Sequence, residues 1–285
     1  MKLGKHVSIS GGLYRAIHRA EQIGCNALQM FVKNPRGWKG KKLNEEDCKK
    51  FKEERQQSDI DQVVVHSTYL INLASPKKEL WNKSVNGLKD DYSRSVRLGA
   101  DYLVFHPGSH TGGGVEEGIK NIARGMKRVL SEVSGDTTLL LENVEGSGTK
   151  IGSNFEELQA IISEGGFNKE VGICVDTCHA FSAGYDLRKE TGLKKLLDDI
   201  DTNIGLEKMQ IIHINDSRYE LGSNKDEHAH IGKGEIGKEG IASVINHRSL
   251  EELPFILETP WFDDRDDDPD VDTIKDLKTR TFYTW

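Results

Sequence analysis

Six short apolar runs in this chain each lead directly into a histidine or an acidic residue. The residues at their downstream ends are His66, His106, Glu142, Asp176, His213 and Glu258. An apolar run bounded by loop residues, such as Val63-Val64-Val65 before His66, is typical of a strand buried on both faces of a parallel sheet. Two further predicted strands, Lys2 to His6 and Ala27 to Phe31, precede these six. The pattern therefore predicts eight buried strands, six of which end at a residue type that binds metal ions.

Helical patterns alternate with the predicted strands. Asn44 suits the N-cap of a helix over 45–57, and a longer helix opens at Ser75-Pro76 and closes at Gly99. Eight such alternations predict the α/β class and a (β/α)8 TIM barrel. An open doubly wound sheet is the alternative, but only a closed ring brings six strand ends together at one C-terminal rim. Because no linker rich in Pro, Gly or Ser interrupts the pattern, we predict a single domain over residues 1–285.

Composition narrows the class of protein. No segment approaches the roughly 18 consecutive apolar residues of a membrane span, and the N-terminus lacks the apolar core of a secretory signal, so we expect a cytoplasmic protein without a membrane partner. The four cysteines are expected to be free thiols. A net charge of −7 argues against a general basic nucleic-acid surface. That count includes the acids at the strand ends, whose charge bound divalent cations would offset.

Three more residues extend the candidate metal site. His179 follows Asp176 by three positions, and Asp226-x-His228 places two side chains on the same side of an extended segment. Imidazole and carboxylate together favour zinc, manganese or iron over magnesium, which prefers oxygen ligands. Nine ligands with one bridging carboxylate suit two or three ions.

The segments that contain these residues resemble the endonuclease IV family of abasic-site nucleases, and the resemblance runs from His6 to about Pro260. The segments that carry the resemblance are His66-Ser67-Thr68-Tyr69-Leu70-Ile71-Asn72-Leu73, Phe105-His106-Pro107-Gly108-Ser109-His110, Leu141-Glu142-Asn143, Asp176-Thr177-Cys178-His179-Ala180-Phe181-Ser182-Ala183-Gly184-Tyr185-Asp186, His213-Ile214-Asn215-Asp216-Ser217, Gly222-Ser223-x-x-Asp226-x-His228-x-His230-Ile231-Gly232-x-Gly234 and Leu257-Glu258-Thr259-Pro260.

The resemblance implies a site of three Zn²⁺ ions, with Mn²⁺ or Fe²⁺ as alternatives at some positions. The ligands that it implies for the first ion are His66 and His106, with Glu142 bridging to the second. The second ion is completed by Asp176, His213 and Glu258, and the third is held by His179, Asp226 and His228.

The same resemblance implies an enzyme of base excision repair that acts on duplex DNA containing abasic sites. The expected reaction is hydrolysis of the phosphodiester 5′ to the lesion by metal-bound hydroxide, leaving a 3′-hydroxyl and a 5′-deoxyribose phosphate, with trimming of blocked 3′ ends. Glu142 and Glu258 are the candidate catalytic carboxylates, each as ligand or as base. Arg36, Tyr69 and Leu70 match the positions at which the family binds DNA by wedging into the duplex and filling the gap. One barrel with one open face leads us to expect a monomer.

Two other functions fit parts of the pattern. A barrel sugar isomerase also uses His, Asp and Glu at strand ends, but would have no use for Asp226-x-His228 or for Arg36 and Tyr69-Leu70 at the rim. A non-catalytic binder of damaged DNA would use zinc structurally, although structural zinc sites are usually closed and rich in cysteine. Outside the ligand set, His6, His110 and His230 are expected to support the site, His18 and His247 to lie on helices, and the acidic run from Asp263 to Asp270 to form a solvated loop.

Overall fold

Eight parallel strands form a closed barrel in the computed structural model, which describes residues 1–262 and 267–279. The barrel strands are β1 (Lys2–His6), β2 (Ala27–Met30), β3 (Gln62–His66), β4 (Tyr102–Phe105), β5 (Thr138–Glu142), β6 (Val171–Asp176), β7 (Met209–His213) and β10 (Pro254–Leu257). Two short strands, β8 (Asp216–Ser217) and β9 (His228–Ala229), pair antiparallel outside the barrel. All eight predicted barrel strands and the predicted fold class are confirmed.

The helices follow the strands as expected of this fold. Their bounds are α1 (Arg15–Gln22), α2 (Glu45–Gln56), α3 (Lys78–Leu98), α4 (Val115–Glu132), α5 (Phe155–Gly165), α6 (Thr177–Ser182), α7 (Glu190–Asn203), α8 (Gly237–Ile245) and α9 (Pro269–Thr279). The Asn44 side chain accepts a hydrogen bond from the Asp47 amide at the start of α2, and Gly99 ends α3 in the left-handed conformation. Among the described residues, no helix is long and apolar enough to cross a membrane.

Each barrel strand pairs with the next barrel strand along the chain, β7 with β10, and β1 closes the ring by pairing with β10. The lumen is filled by one side chain from each of seven strands: Ala27, Val64, Val104, Leu140, Cys174, Ile211 and Ile256. At the eighth strand, a Cβ on Gly4 would lie 2.7 Å from backbone atoms of Ala27, so only glycine fits there. The alternate strand residues, such as Leu3 and Val65, point outward into the larger core beneath the helices.

The structure also contains elements that the sequence patterns did not predict. Helix α6 begins immediately after β6, and α9 begins at Pro269, inside the acidic run. The expectation of a solvated loop is therefore wrong for the end of that run, where Asp268 and Asp270 are buried. Residues 263–266 lie outside the described residues, as does the C-terminal segment beyond Thr279.

Candidate metal centre

The six strand-end candidates form the layer directly above the apolar layer in the lumen. Because side chains on a strand alternate between faces, a residue two positions after a lumen residue also points into the barrel. Val64 is thus followed by His66, Val104 by His106 and Leu140 by Glu142. The same interval leads to the remaining three, in which Cys174 is followed by Asp176, Ile211 by His213 and Ile256 by Glu258. Barrel closure and the period of two therefore bring six residues from distant parts of the chain to one rim.

Glu142 lies at the centre of this layer and is completely buried. Its Oε2 atom lies 3.1 Å from Nε2 of His66 and 3.2 Å from Nε2 of His106. Its Oε1 atom lies 3.1 Å from Nδ1 of His213 and 3.4 Å from Nδ1 of His179. With one oxygen facing each pair of imidazoles, this carboxylate has the arrangement expected of a bridge between two metal positions.

The nine predicted ligands come together in three groups whose ligand atoms lie within 4.8 Å of one another. The groups are His66, His106 and Glu142; Glu142, Asp176, His213 and Glu258; and His179, Asp226 and His228. A further combination of Asp176, Cys178 and His228 meets the same distance limit. Burial raises the pKa of the Cys178 thiol, so the thiolate that would bind metal is disfavoured there.

The third group is built above the barrel by α6 and a loop. Asp176 caps α6 by accepting a hydrogen bond from the His179 amide at 2.8 Å, and the His179 ring is held by the Asn143 carbonyl, 2.9 Å from Nδ1. Nε2 of His179 then lies 3.2 Å from Asp226. His228 reaches the site because its strand pairs with Ser217.

A single buried carboxylate, Asp216, holds the loop that follows His228. Its two oxygens accept hydrogen bonds from five backbone N–H groups at 2.8–3.2 Å: those of Ser217, Gly232, Gly234, Ile236 and Gly237. This carboxylate also lies where a Cβ on Gly234 would be, 2.5 Å from Asp216 Oδ1, so the close approach requires glycine. The position of the third group therefore depends on loop interactions rather than on the barrel.

The residues fit a metal ion in one specific respect. Nε2 of His179 and Nε2 of His228 are both buried, and neither has a hydrogen-bond partner among the described residues. An orphaned buried polar atom costs about 1–3 kcal/mol, so such atoms are rare without a function. Both nitrogens lie within 3.4 Å of an Asp226 oxygen, which is the convergence that a bound cation would satisfy.

The charged groups of this layer also fit a metal site. Burial would raise the pKa of Glu142, but His106 and His213 hold it well below its usual range. Burial would lower the pKa of His179, but Asp176 and Asp226 raise it well above its usual range. The buried carboxylates and imidazoles thus favour each other's charged forms. Divalent cations would balance the carboxylates while leaving the imidazoles neutral, as metal binding requires.

Gln29 belongs to the same layer and was missed by the sequence reasoning. It follows the lumen residue Ala27 by two positions and is completely buried. Its amide nitrogen donates to Glu258 Oε1 and to Nδ1 of His6, and its carbonyl oxygen accepts from Nε2 of His213 at 2.8 Å. Burial lowers the pKa of His6 to about 4, so its Nδ1 is free to accept. The sequence signal that could have identified Gln29 is its position two residues after Ala27 in the same strand, because such a residue also points into the barrel.

A cavity of about 510 Å³ opens over the three groups. Of the predicted DNA-contacting residues, Tyr69 lines this cavity and is 64% exposed. Arg36 is exposed on the neighbouring loop but does not line the cavity, and Leu70 is half-buried. The two loops are tied together, since the Tyr69 amide donates to the Pro35 carbonyl at 3.2 Å.

A buried ion pair fixes the bases of the same two loops. Lys33 lies 2.9 Å from Asp90 and 2.8 Å from Asp91, and Asp91 accepts a hydrogen bond from the Thr68 amide at 3.3 Å. Lys33 precedes the Arg36 turn and Thr68 precedes Tyr69. The structure therefore holds the two loops in one arrangement.

The other histidines lie outside the three groups. Nδ1 of His110 accepts from the amides of Gly112 and Gly114, which closes the glycine-rich turn. His230 stacks on Phe262 and lies 2.8 Å from Asp270, and His18 pairs with Glu54 on the surface. His247 follows the end of α8, so the expectation that it lies on a helix is wrong, and its Nδ1 accepts from the Ser249 amide.

Comparisons with known proteins find relatives that match nearly the whole chain. The sequence model for the xylose isomerase-like TIM barrel family matches residues 17–279. A protein of Halothermothrix orenii named probable endonuclease 4 is 56% identical over 95% of this chain and 98% of its own length. The crystal structure of endonuclease IV from Thermus thermophilus superimposes with a TM-score of 0.87 at 35% identity, covering 97% of this chain and 98% of that one. A D-tagatose 3-epimerase-like protein shares the fold alone, with a TM-score of 0.71 at 20% identity over 97% of this chain and 95% of that one.

Proposed function

Because this chain belongs to the endonuclease IV family of xylose isomerase-like TIM barrels, we propose that it is an abasic-site endonuclease of base excision repair. The proposed reaction is hydrolysis of the phosphodiester on the 5′ side of an abasic site in duplex DNA. It leaves a 3′-hydroxyl and a 5′-deoxyribose phosphate, and the same chemistry would remove blocking groups from 3′ ends.

The observation that carries this proposal is the grouping of nine ligand-type residues, with Glu142 shared by two of the three groups, beneath an open cavity. We propose that His66 and His106 hold a first Zn²⁺ ion, which Glu142 bridges to a second. Asp176, His213 and Glu258 would complete the second, and His179, Asp226 and His228 would hold a third. Mixed imidazole and carboxylate ligands also accept Mn²⁺ or Fe²⁺. Bound zinc would lower the pKa of water to about 7 and would offset the charge of the phosphate.

Burial separates the roles of the two candidate carboxylates. Glu142 is surrounded by four imidazoles and has no access to the cavity, so we assign it as a bridging ligand. Glu258 lines the cavity, and its side chain is 16% exposed. His213 holds the pKa of Glu258 well below its usual range against the effect of burial. Glu258 is thus ionised, as a metal ligand must be, and its place at the cavity suits it to orient the attacking water.

The rim residues suit recognition of a lesion that is turned out of the duplex. Extrusion of a nucleotide leaves a gap that side chains must fill, and the cost of unstacking is lowest at a damaged site. Tyr69, exposed at the cavity mouth, would enter the gap together with Leu70, and Arg36 on the adjoining loop would contact the backbone. The ties between the two loops reduce the ordering cost of binding.

One protomer supplies every residue in this proposal, since all nine ligand candidates and the three rim residues come from one barrel. We therefore propose that the protein acts as a monomer and as a single domain. The mass of the active species in solution, measured by light scattering, tests this point.

The decisive experiment uses a duplex with one tetrahydrofuran abasic analogue, which cannot undergo β-elimination, so that any cleavage must be hydrolytic. Zinc-loaded protein should cut on the 5′ side of the analogue and leave the same duplex without the analogue intact. Metal analysis of the active protein should find about three ions per chain. Failure to cut the lesion duplex would overturn the proposal. Epimerisation of a ketose with two bound metals would instead favour a sugar isomerase, the alternative that shares this fold.

A further inference from the structure

Trp261 lies at the mouth of the metal cavity, three positions after Glu258. It lines the cavity together with Tyr69 and is 47% exposed. Four large hydrophobic residues are exposed in the part of the chain that the structure describes: Met1, Tyr69, Val115 and Trp261. The two aromatic members of this set line the same cavity. An apolar indole exposed to water is less favourable than a buried one. An exposed indole at a binding cavity therefore indicates a contact with a ligand.

Lys5 contacts Trp261 and the two residues before it. The Lys5 ammonium group is completely buried and lies 4.9 Å from the centre of the Trp261 ring. It donates to Thr259 Oγ1 at 3.1 Å and to the Pro260 carbonyl at 3.4 Å. The two residues before Trp261 are thus bound to a cation that cannot move, which gives the indole a defined place before any ligand arrives.

The chain beyond Trp261 is anchored as well. Lys5 forms a buried ion pair with Asp268, whose other oxygen accepts hydrogen bonds from the Asp270 and Val271 amides at the start of α9. Phe262 stacks on His230 at a ring distance of 4.0 Å. Asp268 and Asp270 therefore face inward and are paired, and they do not present their charge to a phosphate backbone at the rim.

We propose that Trp261 contacts DNA directly and that its indole stacks on a nucleobase left exposed beside the extruded abasic nucleotide. This inference rests on the proposed function and adds a contact that the nine ligand candidates and the three rim residues do not supply. A base has an unpaired aromatic face next to a lesion, and stacking on an aromatic side chain tolerates any of the four bases. Arg218 lines the same cavity and is paired there with Glu227, so its charge is already balanced and the proposed contact depends on the indole.

The test compares zinc-loaded wild type, Trp261→Ala and Trp261→Phe. Binding is measured with a tetrahydrofuran duplex whose 5′ linkage is a methylphosphonate that cannot be cut, and incision is measured with the ordinary phosphodiester. Loss of one stacked base should raise Kd and KM of Trp261→Ala about tenfold. Its kcat, metal content and melting temperature should stay near the wild-type values. Trp261→Phe keeps an aromatic face and should bind within about threefold of wild type.

Tryptophan fluorescence supplies a readout that a purely structural role would not change. The chain has four tryptophans, and Trp261 should be quenched when a base stacks on it. Binding should therefore quench wild-type emission, and Trp261→Phe should lose that change while it still binds. Val115→Ala removes an exposed apolar side chain that does not line the cavity, and should match wild type in every assay.

The outcomes separate this inference from the proposed function. Wild-type protein that cuts the lesion duplex, with Trp261→Ala unchanged in KM and Kd, would overturn the stacking role alone. A loss of bound metal in Trp261→Ala would also overturn it, because the residue would then act on the metal site. Wild-type protein that binds lesion DNA with quenching of Trp261 but never cuts would support the stacking role and overturn the proposed activity.

Discussion

Replacing Glu142 by glutamine tests the centre of the proposed site. The change keeps the size of the side chain but replaces one ligand oxygen by an NH₂ group, which cannot bind a metal ion. Each Glu142 oxygen faces two imidazole nitrogens at 3.1–3.4 Å, so the amide nitrogen must point toward one of these pairs. We therefore expect Glu142→Gln to lose the bridge while the barrel remains folded.

The size of the effect follows from burial. Glu142 is fully buried and its charge is shared among four imidazoles, so no solvent compensates for the lost oxygen. Removal of one preorganised electrostatic group from an active site lowers kcat by about 10²–10³, or about 2.7–4 kcal/mol. We expect a loss of at least about a hundredfold in kcat on the tetrahydrofuran duplex, on that same scale.

The assay is single-turnover incision, with metal content determined on the same samples. Glu145→Gln is the matched control, because Glu145 follows the same strand, is 2% exposed and pairs with Lys150 rather than with a ligand candidate. The control should keep its metal and its rate, whereas Glu142→Gln should lose at least one ion per chain. Near-normal turnover in a folded Glu142→Gln protein with its full metal content would refute the bridging role.

Three further predictions follow from the contacts around the site. Removal of metal by a chelator should abolish incision and lower the melting temperature, and added Zn²⁺ should restore both. The melting temperature should fall because a ligand that binds only the folded state, at a hundred times its Kd, stabilises that state by about 2.7 kcal/mol. Incision that persists in metal-free protein would contradict the metal requirement. Asp216→Asn should lower the free energy of unfolding by about 3 kcal/mol in a urea titration, because a charged acceptor of five N–H groups is lost. The surface control Asp198→Asn should change the free energy of unfolding by less than about 0.5 kcal/mol. Equal effects of the two substitutions would rule out the proposed role of Asp216. Gln29→Leu should weaken zinc binding about tenfold in a competition titration because Glu258 and His213 lose the group that orients them; an unchanged affinity would show that Gln29 only fills space.

The barrel and its strand ends could be predicted from the sequence because their signals are local. A parallel strand buried on both faces leaves an uninterrupted apolar run, and a polar residue at its end marks where the strand leaves the core. Val63-Val64-Val65 before His66 and Leu139-Leu140-Leu141 before Glu142 are such cases, and both strands lie where the runs placed them. The cap at Asn44 and the stop at Gly99 were equally local and are also confirmed.

The features that the sequence did not predict depend on contacts between distant residues. Burial of Asp268 requires Lys5, which is 263 positions away in the chain. Nothing near Asp268 in the sequence distinguishes it from its acidic neighbours. Helix α6 has only six residues and begins directly after Asp176, so it is too short to show a helical period.

The metal centre likewise contains residues placed by local strand patterns and residues placed by contacts between distant parts of the chain. Six ligand candidates and Gln29 occupy one layer of the barrel, where the period of two and the closed ring determine their positions. His179, Asp226 and His228 lie above that layer and depend on a short helix cap, a two-residue strand pair and the Asp216 carboxylate. Strand-end reasoning could therefore reach the first two groups, but it could reach the third only through the spacing of Asp226-x-His228 and the family resemblance. The same difference makes the third group more sensitive to loop substitutions, because local opening of a loop costs less free energy than disruption of a closed barrel.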